Sequence, residues 1–432
     1  MSAAEIVDRN KKHFTIQIKI PYGKSMLEAE EEIQQCINEA GVLGTGEALE
    51  QFDTDGSPIR IGDSNWTSKG KVEKTYQTPY GETEIKRHVY QSSEGGRIFC
   101  PLERDARIIL TATPKFAKVL SSKYSEFGSS RVIKDLSENH GREVARSFVQ
   151  NVCDAIGAVA FAKEAEWQYE LPKMDKAVHS VSVGLDGTCM LLSEDGYRQA
   201  MVGTIAFFDK DGERQHTIYT AAAPESGKET FLSRLDNEVT RVKAAYPNAK
   251  YIGLTDGARD NWDFLESRTD TQVLDFWHAS EYLAKASEVM FKGKSKSEEK
   301  KLWLEEACHD LKNKNRSAAR LLTEVENFCE GKRLMAEDKE KIQSTVTYFA
   351  NNKNKMNYAS CVEQNLPIGS GVTEAACKVI VKQRLCGAGM KWGARGAAVV
   401  LSLRAVNSTP GRWDQFWRKI DRHGFPVVAE AA

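Results

Sequence analysis

Paired cysteines are what this 432-residue chain most lacks: it carries nine, an odd number, and no two stand as C-x-x-C. That count excludes a disulfide framework and a zinc ribbon, and it predicts a protein of a reducing compartment. Overall charge is also missing. A formal net charge of -1 gives the molecule no global attraction to nucleic acid, so any such attraction has to be local. No uninterrupted apolar run approaches the roughly 20 residues of a membrane span, and no basic-plus-apolar leader opens the chain. The expectation is a soluble, intracellular protein with no membrane partner.

What is present is ordinary in bulk and uneven in detail. With 41% hydrophobic and 28% charged residues the chain has the composition of a folded protein, long enough for two to four domains. From Glu28 to Asp63 ten acids face one base, Arg60. From Ala375 to Arg422 ten bases face two acids, a local charge of +8. Direct DNA contact is therefore expected near the C-terminal end and not along the acidic N-terminal segment.

Residues 1–70 read as a strand and an acidic helix. Phe14, Ile16, Ile18 and Ile20 alternate as a half-buried strand. Ser25 and Glu28 form a capping-box pattern before a helix that presents Met26, Ile33 and Ile37 and is expected to stop at Gly41, with loop from Gly44 to Gly70. The DTDGS at 53–57 has its Gly two places early for a calcium loop and Ser64 where the twelfth-position Glu belongs. Residues 71–111 predict a small β-rich region with PYG and EGG turns, in which Arg87, His88 and Tyr90 read as solvated strand residues.

Residues 112–170 are helical: Phe116 to Tyr124, Ser130 to Ser137, then Arg142 to Ile156 after an Asn139–His140–Gly141 turn. A short helix, a Gly-containing turn and a helix bearing Arg142, Arg146 and Gln150 has the pattern of a DNA-binding helix-turn-helix, and equally of a plain three-helix bundle.

Residues 178–284 then alternate in a readable order. His179 to Leu185, Gln199 to Phe208 and Arg214 to Ala221 are strands, followed by a helix to Ala245, a strand Lys250 to Thr255, a helix Arg259 to Ser267 and a strand from Thr271. The order βββαβαβ predicts an α/β fold with a ribonuclease H-like catalytic domain, completed by residues 366–408 after a helical insertion at 285–365. Residues 409–432 form a basic aromatic tail with Trp413, Phe416 and Trp417.

Three acids sit at element ends: Asp186 in VSVGLDGT, Asp256 in YIGLTDGA, and Glu374 in the first turn of a helix opened by IGSG. Each alone is a strand-end turn or a helix-capping carboxylate. Together they are hard oxygen ligands suited to magnesium, or manganese in its place, and to displacement at phosphorus. Lys378, Lys382 and Arg384 follow Glu374 with no further acid, as a basic face for DNA. Trp277 and Trp392 read as core aromatics.

In chain order VSVGLDGT, YIGLTDGARDNW, LDFWHASEYL and PIGSGVTEAACKVIVKQRLCGAGMKW resemble the bacterial insertion-sequence transposases of the DDE class, most closely the ISKra-four family. The resemblance runs from about Thr113 to Val406. It implies Asp186, Asp256 and Glu374 as a metal-binding catalytic triad and residues 285–365 as the insertion before the last acid. It also implies that Asp275 and His278 match the Asp-x-x-His signature of related Mutator-type enzymes, either ordering the site or bracing a strand-helix corner. The implied partners are double-stranded terminal inverted repeats and target DNA, bound by a homodimer or higher oligomer in the bacterial cytoplasm at the nucleoid. A ribonuclease H-like nuclease or resolvase that cuts without joining needs the same acids, and a domesticated DNA-binding protein would keep the helix-turn-helix alone.

Overall fold

The chain, seen in a computed structural model that describes residues 3–164, 166–225 and 227–424, is a mixed α/β protein that divides into two compact units. The first takes in the N-terminal residues through Tyr169 together with Ser402–Asn407 and the helix from Arg412; the second is Glu170–Leu401 with Ser408–Gly411.

In the first unit β1 (Ala4–Arg9) and β2 (Phe14–Ile18) pair antiparallel. Phe14 and Ile16 are half-buried, whereas Ile18 and Ile20 face solvent. Ser25 caps α1 (Met26–Glu50) by accepting from the Glu28 amide, and the Glu28 carboxylate reaches back to the Lys24 amide. The helix does not stop at Gly41. A Cβ on Gly41 would lie 2.3 Å from the Tyr80 ring, and one on Gly46 would lie 2.9 Å from Thr83 Oγ1. These glycines let the helix approach a sheet, and the packing outweighs their poor helix propensity.

That sheet is β3 (Ile59–Ile61), β4 (Ser64–Gln77), β5 (Glu82–Ser92) and β6 (Gly95–Phe99), antiparallel in chain order. Of the expected 44–70 loop only residues 51–58 and the 62–63 turn are so; 44–50 continue α1, 59–61 and 64–70 are strand, and the boundary expected at residue 71 falls inside β4. Arg87 and Tyr90 are buried, not solvated. Arg87 donates to Tyr76 Oη (2.6 Å), Val72 O (3.1 Å) and Glu103 (3.2 Å), while Tyr90 Oη meets Thr54 Oγ1 at 2.7 Å.

Four helices follow: α2 (Pro101–Asp105), α3 (Pro114–Glu126), α4 (Ser129–His140) and α5 (Arg146–Lys163). Gly141, in the left-handed region at φ 60, ends α4. The third helix therefore starts at Arg146, and Arg142 stands in the turn. Its guanidinium is buried, donating to Thr78 O (3.1 Å) and Gln77 Oε1 (2.8 Å), so it satisfies a strand-end carbonyl and cannot serve as a DNA contact. Arg146 remains exposed and donates to Ser129 Oγ; Gln150 is half-buried. Val149, Val152, Cys153, Ile156, Val159 and Ala160 make α5 a core helix.

The second unit carries β7 (Ser180–Leu192), β8 (Gly196–Phe208), β9 (Arg214–Ala222), α6 (Glu229–Ala245), β10 (Lys250–Thr255), α7 (Arg259–Glu266) and β11 (Thr271–Leu274). The element order matches the sequence expectation, although β7 runs through Asp186 where the strand was expected to end. The sheet order is β11-β10-β7-β8-β9, with β7, β8 and β9 antiparallel and β10 parallel to both β7 and β11. Val183, Ile205, Phe207, Phe231, Leu235 and Leu254 belong to its core.

After α8 (Phe276–Met290) come α9 (Ser297–Asn313), α10 (Ser317–Cys329), α11 (Ala336–Asn352) and α12 (Tyr358–Glu363). The stripes expected to be core seams are so: Ala307, Leu311, Leu321, Val325, Ile342 and Phe349 are buried. Next, α13 (Gly371–Ala376), a π-helical turn (Cys377–Lys382) and α14 (Gln383–Leu385) form one continuous rod. The chain ends in α15 (Ala394–Ser408) and α16 (Arg412–His423). The tail is no loose extension, because Phe416, Trp417 and Ile420 are buried in the first unit, where Phe416 packs on Trp167 at 5.7 Å. Residues 425–432 of the expected tail lie outside the described residues.

Candidate metal centre

The central strand β7 sets the site. Gly184 and Asp186 point to one face, two residues apart. Gly184 pairs with Thr204 of β8 and Leu254 of β10, so Asp256, just past β10, stands level with Asp186 on the adjacent parallel strand. A Cβ on Gly184 would lie 2.2 Å from Thr373 Oγ1, and the Thr373 and Thr204 hydroxyls meet at 2.7 Å in the core. Glycine on the strand and threonine on the helix thus seat α13 on the sheet, which brings the next residue, Glu374, to the same face. Ser370 stands at the N-cap of α13, but its side chain makes no capping hydrogen bond.

Asp186, Asp256, Glu374 and His278 line one cavity of about 830 Å³, with Ser370, Cys377, Lys378 and Lys382. Asp186 accepts from the Gly187 amide (2.7 Å) and from the Cys377 thiol (3.7 Å). Burial raises its pKa above the ordinary carboxylate value, and the charges of Asp256 and Glu374 add to that, outweighing the two hydrogen bonds. Asp256 accepts from Thr255 Oγ1 (3.1 Å) and the Ala258 amide (3.2 Å), both through Oδ1. Its backbone carbonyl accepts from Tyr348 Oη at 2.8 Å.

Asp275 differs from these acids in being fully buried and spent on structure. Oδ1 accepts from the His278 amide (2.7 Å) and Nδ1 (3.1 Å), capping α8; Oδ2 accepts from the Ser370 amide (2.5 Å) and hydroxyl (2.9 Å). It braces the strand-helix corner. With a carboxylate as partner, His278 Nδ1 carries the hydrogen, which leaves Nε2 as the ring's other polar atom. Ser370 Oγ also lies 2.7 Å from Glu374 Oε1, so its single hydrogen serves one carboxylate at a time. His278 Nδ1 is 3.8 Å from Glu374. Burial lowers the His278 pKa, but the Asp275 hydrogen bond and charge, helped by Glu374, hold it above the usual imidazole value.

Among the described residues, the one set of three candidate ligands whose atoms all lie within 4.8 Å is Asp275, His278 and Glu374. Asp186, Asp256 and Glu374 surround the cavity more loosely. The donor set fits hard divalent ions. Its oxygens repel one another without a cation, and no protein donor reaches Asp256 Oδ2 or Glu374 Oε2 among the described residues.

Lys378 and Lys382 are exposed at the cavity. Arg384 is not. It is buried with its guanidinium 5.1 Å from the centre of the Trp392 ring, which removes it from the expected DNA-binding face. The π turn inserts an extra residue into the helical repeat just before it, so side chains beyond Lys382 leave the register that a regular helix would give them. Cys377 and Thr204 escaped the sequence reading, since an apolar context and a strand interior give no sign of a polar role. No protein-family model and no curated protein matches the chain.

Proposed function

We propose that this chain is a metal-dependent phosphoryl transferase acting on DNA, with a ribonuclease H-like catalytic domain. Within that class we read it as a DDE transposase resembling the ISKra-four family, which cleaves the ends of its insertion sequence and joins the 3′ hydroxyls to target DNA. The observation that carries the reading is that Asp186, Asp256 and Glu374, from three separated segments, line one cavity with two exposed lysines. The sheet order, with three antiparallel strands followed by two parallel ones on the far side of the first, supports the fold assignment.

Asp186, Asp256 and Glu374 would hold magnesium, which when bound activates the attacking oxygen and stabilises the leaving oxygen. Asp275 and Ser370 position His278 and Glu374, and His278 is the group beside Glu374 able to hold or release a proton. Lys378 and Lys382 would neutralise backbone phosphates. Recognition of terminal inverted repeats would fall to the helices around Arg146 and Gln150, in a homodimer or larger assembly on DNA. The test is strand transfer in magnesium with the element's own ends. Asp186→Asn and Glu374→Gln should each lose at least about 100-fold in rate while still binding DNA; undiminished joining by either variant would sink the assignment.

A further inference from the structure

Of the eight tryptophans Trp277 alone is exposed, at 69%, against the core role its sequence context predicts. Trp392, the other aromatic beside the acids, is built in: its Nε1 donates to Leu385 O (3.0 Å), and its backbone pairs with Leu191 and Ser193. Trp277 has no such partners. Its Nε1–H has no acceptor among the described residues.

The ring is nevertheless held in place beside the chemistry. It lies in the first turn of α8, between the Asp275 brace and His278. Phe276 supports it edge-on at 5.7 Å and is itself fixed edge-on by Tyr358 at 5.3 Å. The Phe276 amide donates to Ile368 O, tying this turn to the segment that leads into Glu374. One edge of the indole rests on Gly369, where a Cβ would stand 3.6 Å away, and Gly369 directly precedes Ser370. A solvent-facing indole on the residue next to His278, which lines the cavity with Lys378 and Lys382, matches the chemistry of a nucleotide: a charge for the backbone and a flat apolar face for the base.

We infer that Trp277 is a stacking platform for a nucleobase at the DNA end being processed. The inference rests on the site being a DNA-processing centre. The experiment uses the full-length protein carrying Asp186→Asn, which should bind without cutting, on duplexes of the element's own termini with 5-iodouracil at positions flanking the cleavage point. Irradiation should crosslink one position to the peptide containing Trp277, identified by mass spectrometry. Trp277→Ala should weaken binding to those ends by about 5- to 150-fold, the range that base–aromatic stacking supports, and Trp277→Phe should recover most of the loss at an unchanged melting temperature. Crosslinks elsewhere together with wild-type affinity in Trp277→Ala would overturn the inference while leaving the transposase reading standing. Burial of Trp277 in a DNA-free oligomer, seen as loss of its acrylamide quenching with rising protein concentration, would assign the ring to a protein interface and also overturn it. Failure of the wild-type protein to bind or cut its own ends in magnesium removes the reading and the inference together.

Discussion

Glu103 shows how strongly a single side chain can depend on its partners in the first unit. It accepts from Lys74 Nζ (2.8 Å), Tyr76 Oη (2.9 Å) and Arg87 (3.2 Å). Burial works against its charge, yet these partners hold its pKa below the ordinary carboxylate value. A lowered folded-state pKa contributes stability at pH values above the unfolded pKa, about 4.3, and that contribution is lost as pH falls through the lowered value. Glu103→Gln should therefore lower the melting temperature at neutral pH, and its deficit should shrink as the solution is acidified below about pH 4. Thermal melts across that range check it. Arg87 looks like a solvated strand residue in sequence, and Arg142 and Arg384 look like nucleic-acid ligands, yet all three are buried, because an arginine's burial depends on distant carbonyls and rings that no local window contains.

Elements were legible where periodicity spoke alone. The alternation of β2, the apolar run of β10 and the helical stripes of the insertion fixed their type. Reading failed where a glycine had a tertiary purpose: Gly41, Gly44 and Gly46 look like breakers but lie within α1, and the π turn after α13 leaves no mark in the residue pattern. Gly184 is the most consequential of these contacts. Gly184→Ala would drive a methyl into Thr373 Oγ1, with Leu254 O only 3.3 Å away on the other strand. The expected result is a loss of about 1–3 kcal/mol in chemical denaturation and a fall in cleavage as Glu374 shifts. Adding Thr373→Ala should restore part of both, which a merely unstable variant would not show. On the neighbouring π turn, replacing Lys378 and Lys382 together by Ala should weaken binding at all DNA sequences and reduce the slope of log affinity against log salt by about 2. An unchanged slope would assign both lysines to the protein surface alone.

At the scale of the whole molecule, the candidate acids were found in sequence because each ends or interrupts a recognisable element, while their relation to Asp275, Ser370 and Cys377 was not, since it depends on how strands and helices meet. The split of the chain was also hidden. The first unit, otherwise N-terminal, contains Ser402–Asn407 and α16. Arg404, 1% exposed, donates to Ser125 O and to Glu126 there, and Phe416 and Ile420 are fully buried. A polypeptide ending at residue 401 should consequently show a first unit that limited proteolysis degrades quickly, whereas the full chain should resist. For the living cell this concerns timing at the ribosome: the segment through Tyr169 cannot complete its core until Ser402–Asn407 and α16 have left the exit tunnel. A prematurely terminated product would then be a target for proteases and not a stable competitor of the finished protein.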